Sequence, residues 1–456
     1  MSLNFRNKIV GFILAAGFLT AQSFTPVSAQ NQTTILPDGS TALARYLDPL
    51  NGMTADEAVR VALENNGELV AARKEIEAAR ALVKQARLRA NPSVEFSRQE
   101  QIRGSDNDTM IAGSLPLELG GRRKSRVDVA AAELNLREKQ VADSERLLAA
   151  EVRAKFGEAL AQTLKLKLVE DLLQSTLQGF RLVQARVAEG KTAPLEKNMT
   201  LVEVNRLRSM REIEAGKTEI VFLELRSLLG MKPEEPLRLR GDFKDLLAPL
   251  QPPLADSTAN ALQNRPDLAA MRAMENLAEA QIEQARAGGR VDARVNAGYG
   301  RNNFSFPVNG ITDAGQIRPV QGIFHSFKFG VTLEIPVLNR NQGAIEAAVI
   351  NLEAAQKRRE FAELVVRRQI ASAFALYESS ARAMEIFRVG VRGQASENLN
   401  VVRQTYELGA RNLIEYLVEE RRYIEIENEF IDAQLKVYQA RVEILKAANA
   451  PELIAK

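Results

Sequence analysis

The sequence predicts a mainly α-helical chain carrying four β-strands, arranged as two tandem copies of one helix–hairpin–helix–helix unit. Three observations predict it. First, the stretch from Met110 to Leu117 alternates with the two-residue period of a strand and is broken by Pro116 and Gly120-Gly121. From Arg122 to Glu189 no proline follows, and Ala, Leu, Glu, Lys and Arg dominate, the composition of a long helix. Second, the event recurs: Phe327, Phe329, Val331, Leu333 and Ile335 alternate, Pro336 and Asn339 break, and a proline-free run reaches Ala450. Third, Leu63 to Leu69 matches Leu262 to Leu268, Arg186 to Gly190 matches Thr405 to Gly409, and Glu196 matches Glu415, so one unit is used twice.

Taken in order, residues 1–29 read as a secretory signal: basic Arg6 and Lys8, an apolar run from Ile9 to Leu19, and Val27-Ser28-Ala29 as cleavage site. Residues 30–53 are polar and proline-punctuated, an extended N-terminal arm. The first repeat covers 54–232. Thr54 and Glu57 have capping-box spacing, helices follow to Asn65 and from Glu68 to Ala90, and strands are expected over 93–101 and 109–117. The helix from Lys124 to Ala188 would span about 100 Å at about 1.5 Å per residue. Leu148, Val152, Phe156, Leu160, Leu164, Leu168 and Leu172 recur along it every fourth residue, a step at which the apolar stripe drifts around the helix. Gly190 to Pro194 reverses the chain into a partner helix from Leu195 to Leu229. Prolines 233, 236, 249, 252 and 253 mark a linker, 233–255, and the second repeat fills 256–449, with strands over 292–301 and 325–335. Between those strands Asn302 to Ile323, rich in Gly, Pro and Asn, reads as an inserted external loop. In the last helices Val366, Ile370, Ala373, Tyr377, Ser380, Met384, Phe387 and Val391 follow heptad spacing.

Composition narrows the function classes. A net charge of +3 over 456 residues gives no basic surface for nucleic acid. With no cysteine, disulfides, thiolate chemistry and an acylated anchor are excluded. No segment after the signal is long and apolar enough for a membrane helix, so a membrane span must be made of strands. The strands have the pattern this requires, because Ala293, Val295, Ala297 and Tyr299 alternate with Arg294, Asn296, Gly298 and Gly300, which gives one apolar and one polar face. Tyr299, Phe304, Phe306 and Phe324 are expected at the membrane interfaces. Four strands cannot close a barrel, and open edges in lipid leave backbone groups unpaired, so two or more copies must share one barrel whose polar face lines a water-filled lumen.

Nothing in the pattern supports catalysis, a cofactor or a metal centre. His325 is the single histidine, and no phosphate loop or nucleophile elbow is present. Acids and bases spread along the helices at i, i+4 spacing, the pattern of solvated pairs. The candidate functional residues lie instead at the two reversals: Gly190, Lys191, Glu196, Gly409, Arg411, Asn412 and Glu415 would ring the far mouth of a helical tube and set its closed state. A static stalk that spans the periplasm is the rival from another class; it needs no lumen.

The tandem repeat, the run Asn264-Arg-Pro-Asp-Leu268 and the reversals at Gly190 and Gly409 resemble the TolC-type outer-membrane efflux channels, and Pro116 to Arg122 resembles their cobalt–zinc–cadmium branch. The likeness covers about residues 54 to 449. It implies a homotrimer, with twelve strands in one outer-membrane β-barrel and a periplasmic α-helical barrel beneath. A periplasmic adaptor would join this to an inner-membrane RND-type pump. The implied role is a passive exit duct for divalent metal ions, with drugs or secreted protein as the alternative cargo. Relatives anchored by an acylated cysteine differ from this chain, which has none.

Overall fold

The computed structural model describes residues 41–102, 104–247 and 254–454. The proposed signal, 1–29, lies outside the described residues. The first short helix, α1 (Thr41–Tyr46), falls where an extended arm is predicted. Leu47 and Met53 then bridge to Leu239, inside the predicted linker 233–255. The described parts of both segments pack: Tyr46, Leu237, Leu239 and Phe243 are all buried in the main core. Proline content excludes a long helix there and leaves room for the short α1 and α6 (Phe243–Leu246); the leucines and phenylalanine decide that the segments pack.

The helices begin and end where local chemistry dictates. At the start of α2 (Ala55–Asn65) the capping box forms both ways: the Glu57 amide donates to Thr54 Oγ1 at 3.2 Å and the Thr54 amide donates to Glu57 Oε2 at 2.8 Å. Asn66 caps α3 (Gly67–Arg87), accepting the Leu69 amide at 3.1 Å. In the second repeat α7 (Leu254–Asn264) and α8 (Pro266–Gly288) take the same places. The Asn-Arg-Pro-Asp run explains itself there. Pro266 starts α8, and buried Arg265 grips Asp267 through two bonds of 3.0 and 2.6 Å while donating to the Ala447 carbonyl at 3.0 Å. Burial opposes ionisation of Asp267, but Arg265 and Arg146 prevail and hold its carboxyl below the usual range.

α4 (Arg122–Ala188) runs 67 residues and packs along α5 (Pro194–Leu228) and α11 (Leu413–Ala448). The widest core lies at its middle, where Phe156, Leu160, Phe222, Leu225 and Tyr438 meet the connector after α5. Gly157 is required there, because a Cβ would stand 2.3 Å from the Tyr438 ring. Toward the far end the seam thins to Leu173, Val204, Leu207 and Ile424. In the second repeat the equivalent of α4 is interrupted: α9 (Gln342–Ile386) and α10 (Gly393–Glu407) are joined by a π-helical turn, Phe387–Arg392. The predicted heptad stripe is fully buried only at Val366, Ile370 and Ala373, before that turn.

β1 (Ser93–Glu100), β2 (Asn107–Pro116), β3 (Asp292–Ile311) and β4 (Ile317–Glu334) form one antiparallel sheet in sequence order. The predicted loop Asn302 to Ile323 is instead hairpin. β3 and β4 continue pairing past the ends of β1 and β2 and close in a tight turn at Thr312 to Gln316. Pro307, which argued for a loop, is absorbed by a register shift between Ser305 and Asn309. Pairing that is already in register extends cheaply, and loop-like composition does not stop it.

Candidate functional site

Two places carry the functional geometry, the strand-to-helix junction and the far reversals. At the junction Glu118, Gly120 and Gly121 all have positive φ, so the chain turns sharply from β2 into α4. Arg126 pairs with Glu118 and donates to the Leu88 carbonyl at 2.9 Å; Arg123 donates to the Arg87 carbonyl at 2.8 Å. Arg122 reaches Asp292 at 3.4 Å, which joins the starts of α4 and β3. The Pro116 to Arg122 run is thus a clamp that sets the sheet on the helices.

Both reversals close as Schellman motifs. After α4, Gly190 (φ +73°) donates to the Val187 carbonyl at 3.0 Å and Lys191 to that of Arg186 at 2.9 Å. After α10, Gly409 (φ +76°) donates to the Tyr406 carbonyl and Ala410 to that of Thr405, each at 2.9 Å. No atom lies within 4 Å of a Cβ built at either glycine, so the sign of φ, and not space, is what demands glycine. The re-entries differ. α5 starts at Pro194 with no side-chain cap on Ala193. α11 starts behind Asn412, whose Oδ1 accepts the Glu415 amide at 2.9 Å and whose Nδ2 donates to Glu415 Oε1 at 3.1 Å, with Arg411 paired to the same carboxylate.

Of the seven residues singled out in the sequence, Glu196 reaches the other repeat: Tyr406 Oη donates to its Oε2 at 3.4 Å. Tyr406 also stacks on Tyr416, centroids 5.8 Å apart, and its phenol is pushed up by burial and by the Glu196 charge. Lys191 pairs within its own turn, with Glu189 at 2.7 Å. Arg411, Asn412 and Glu415 form a local cluster, and the two glycines shape the backbone.

The structure adds buried carboxyls just inside these turns. Glu203 of α5 is 1% exposed, accepts from Arg206 at 2.8 Å and from Arg421 at 2.7 Å, and is held below the usual carboxylate range because these guanidiniums outweigh its burial. Glu420 of α11 is equally buried but has no cation bonded to it among the described residues. It accepts from Thr176 at 3.0 Å and from Tyr416 at 3.5 Å, and its Oε2 has no partner among the described residues. Burial, with the neighbouring Glu203 charge adding to it, pushes its carboxyl above the usual range. A sequence signal for them exists: Thr200, Glu203, Val204 and Leu207 form one buried stripe, and Leu413, Leu417, Glu420, Ile424 and Glu427 another, so both acids occupy apolar positions.

In the sheet, register fixes the faces. Leu333, Val331, Phe329 and Phe327 share one face with Val295 and Tyr299, and His325 joins it beside Arg301. The opposite face carries Arg294, Asn296, Lys328, Thr332 and Glu334. Of the aromatics expected at the membrane interfaces, Tyr299 shares the apolar face, whereas Phe304 and Phe324 do not. They lie on the polar face, where Phe324 meets Phe306 edge-on at 6.0 Å in the extended hairpin. No described helix is long and apolar enough to cross a membrane, and among the described residues no group of three His, Asp or Glu could hold a metal ion.

The family described as outer membrane efflux protein matches residues 58–230 and 258–450, one range in each repeat. The chain is 24% identical over 397 residues to the cobalt-zinc-cadmium resistance protein CzcC of Cupriavidus metallidurans, covering 86% of each. It is 26% identical over 408 residues to the outer membrane protein OprJ of Pseudomonas aeruginosa, covering 85% of this chain and 82% of that one. Among solved structures CusC superposes with a TM-score of 0.71 at 20% identity, over 86% of this chain and 91% of that chain.

Proposed function

The chain belongs to the outer membrane efflux protein family, and on that premise we propose that three copies close one transmembrane barrel and act as the passive exit duct of a tripartite efflux system. The observation that carries this is the sheet. It has four strands, β1 and β4 are edges, one face is apolar and the other polar. In a bilayer such edges must be paired, and copies of the same chain supply the partners. The helices leave the sheet at one end only and extend about 100 Å, which suits a periplasmic tube. A periplasmic adaptor, with an inner-membrane RND-type pump behind it, would engage the reversals at Gly190, Lys191, Glu196, Gly409, Arg411, Asn412 and Glu415. The polar face of the sheet becomes the lumen and the apolar face meets outer-membrane lipid.

For cargo we propose divalent transition-metal ions, passed through unligated. Similarity to a cobalt-zinc-cadmium resistance protein supports this choice. Zinc and cobalt sites use fixed sets of Cys, His and carboxylate ligands, and this chain has no cysteine and one histidine, so selection would lie in the pump or adaptor. Two measurements test the reading. Detergent-extracted protein should have the mass of three chains and conduct ions in a planar bilayer; a closed monomer would overturn the shared barrel, and an assembly without conductance would favour the stalk. Deleting the chain should sensitise cells to cobalt, zinc or cadmium more than to dyes or detergents. The opposite ranking would make it a drug channel.

A further inference from the structure

We propose that the outer face of the sheet binds the phosphorylated headgroups of outer-leaflet glycolipid through Arg98, Arg301 and His325. The proposal rests on the channel reading, since that face meets lipid only if the strands span a membrane. Register places the three in one row. Arg98 lies opposite Thr109, Thr109 opposite Arg301, and Arg301 opposite His325, and residues paired across a sheet share a face. The row is the first polar one beyond the apolar band. Toward the helices it is preceded on the same face by Phe96, Ile111, Tyr299 and Phe327, then by Val94, Gly113, Ala297 and Phe329. Since the helices leave from the opposite end, this row stands at the outer leaflet.

The carboxylates of the paired strands, unlike the cations, are divided unevenly between the faces, for Arg294 and Lys328 lie on the other face beside the acids. Glu95, Asp108, Asp292 and Glu334 all lie on the other face. On the outer face of the paired strands Glu100 is the one carboxylate among the described residues, and it is occupied, accepting from Arg98 Nε at 2.7 Å. Arg301 is exposed and has no carboxylate partner among the described residues. His325 is held by the Tyr299 hydroxyl at its Nδ1, 2.5 Å away, with the rings stacked 5.9 Å apart. At the edge of the hydrocarbon a barrel strand tolerates a guanidinium, whose planar fork matches phosphate oxygens bidentately. Three copies would repeat the row around the barrel.

The test uses the full chain inserted into vesicles of phosphatidylethanolamine with a minor fraction of bisphosphorylated lipid A. Lipid recovered with the extracted protein should be enriched in lipid A over its share in the vesicle. Arg301→Gln should lower that enrichment about fivefold, the effect of one basic residue at an anionic membrane surface. Lys328→Gln, on the opposite face, should leave it unchanged. Dephosphorylated lipid A should show no enrichment with the wild-type chain, a readout independent of any variant's folding. No enrichment by wild type, equal enrichment of the dephosphorylated lipid, unchanged enrichment by Arg301→Gln, or an equal loss in Lys328→Gln would each overturn the proposal. Vesicle flotation and conductance separate the two readings: failure of the wild type to insert counts against the channel, while normal insertion without lipid A enrichment counts against this site alone.

Discussion

The two reversals are built from the same repeat and end differently. Each closes with a glycine in the left-handed region and the same pair of backbone bonds. The second then ties its Glu415 down locally with Asn412 and Arg411, whereas the first offers no side chain at Ala193 and leaves Glu196 to Tyr406 of the other repeat. The two copies thus share the turn and differ in side chains: one is tied within its own corner and the other supplies the contact between corners. In the proposed mouth, holding shape and joining the corners would fall to different turns.

The largest effect should come from the buried carboxyls behind the corners. Glu203→Ala removes the anion that Arg206 and Arg421 share, and should loosen the tip by about 2–3 kcal/mol, the guanidiniums being half-exposed and able to rehydrate. Hydrogen exchange of α5 and α11 at their tip ends is the measurement, and unchanged protection there would leave Glu203 without a part in holding the tip. Next, Gly190→Val and Gly409→Val should each cost about 1–2 kcal/mol, since the required φ is hostile to a β-branched residue. Both should reach the membrane and lose efflux and adaptor cross-linking; full efflux in both would detach the reversals from the adaptor. Asn412→Ala should cost about 1 kcal/mol through the lost cap, whereas Ala193→Ser should be neutral or stabilising because it adds one. Equal responses at the two positions would erase the distinction between corner and contact. Smallest is Tyr406→Phe, worth about 0.5 kcal/mol in stability for a long hydrogen bond. Its readout is basal conductance, which should rise; no change would leave Glu196 without a role in closure.

Acidity probes the same seam. Glu420 has a carboxyl pKa raised by burial, so it favours the folded tip while protonated. That contribution is complete below the ordinary carboxylate range and is lost as pH rises through the elevated value. The groups facing it are Thr176, Tyr416, Glu203 and Arg206, and only Glu203 carries a repelling charge. Conductance of the wild type should therefore rise with pH over that window, and Glu420→Gln should flatten the profile. An unflattened profile would assign the titration elsewhere.

Much of this was legible in the chain because it is written in local rules. Two-residue alternation, proline-free runs and repeated glycines give the strands, long helices and reversals, since each depends on backbone geometry within a few residues. No described helix is long and apolar enough to cross a membrane, and the alternating strands carry the two-faced pattern that a spanning barrel uses. The tertiary structure decided what depends on partners far away in sequence. It placed Leu239 and Phe243 in a core that proline content hid, and it extended β3 and β4 through Asn302 to Ile323 because a hairpin in register can carry loop-like residues. Cross-strand pairing aligned Arg98, Arg301 and His325 in one row, and helix packing buried Glu420 beside Glu203. Periodicity says which residues share a face; only packing says what that face meets, and burial and charge follow from the meeting.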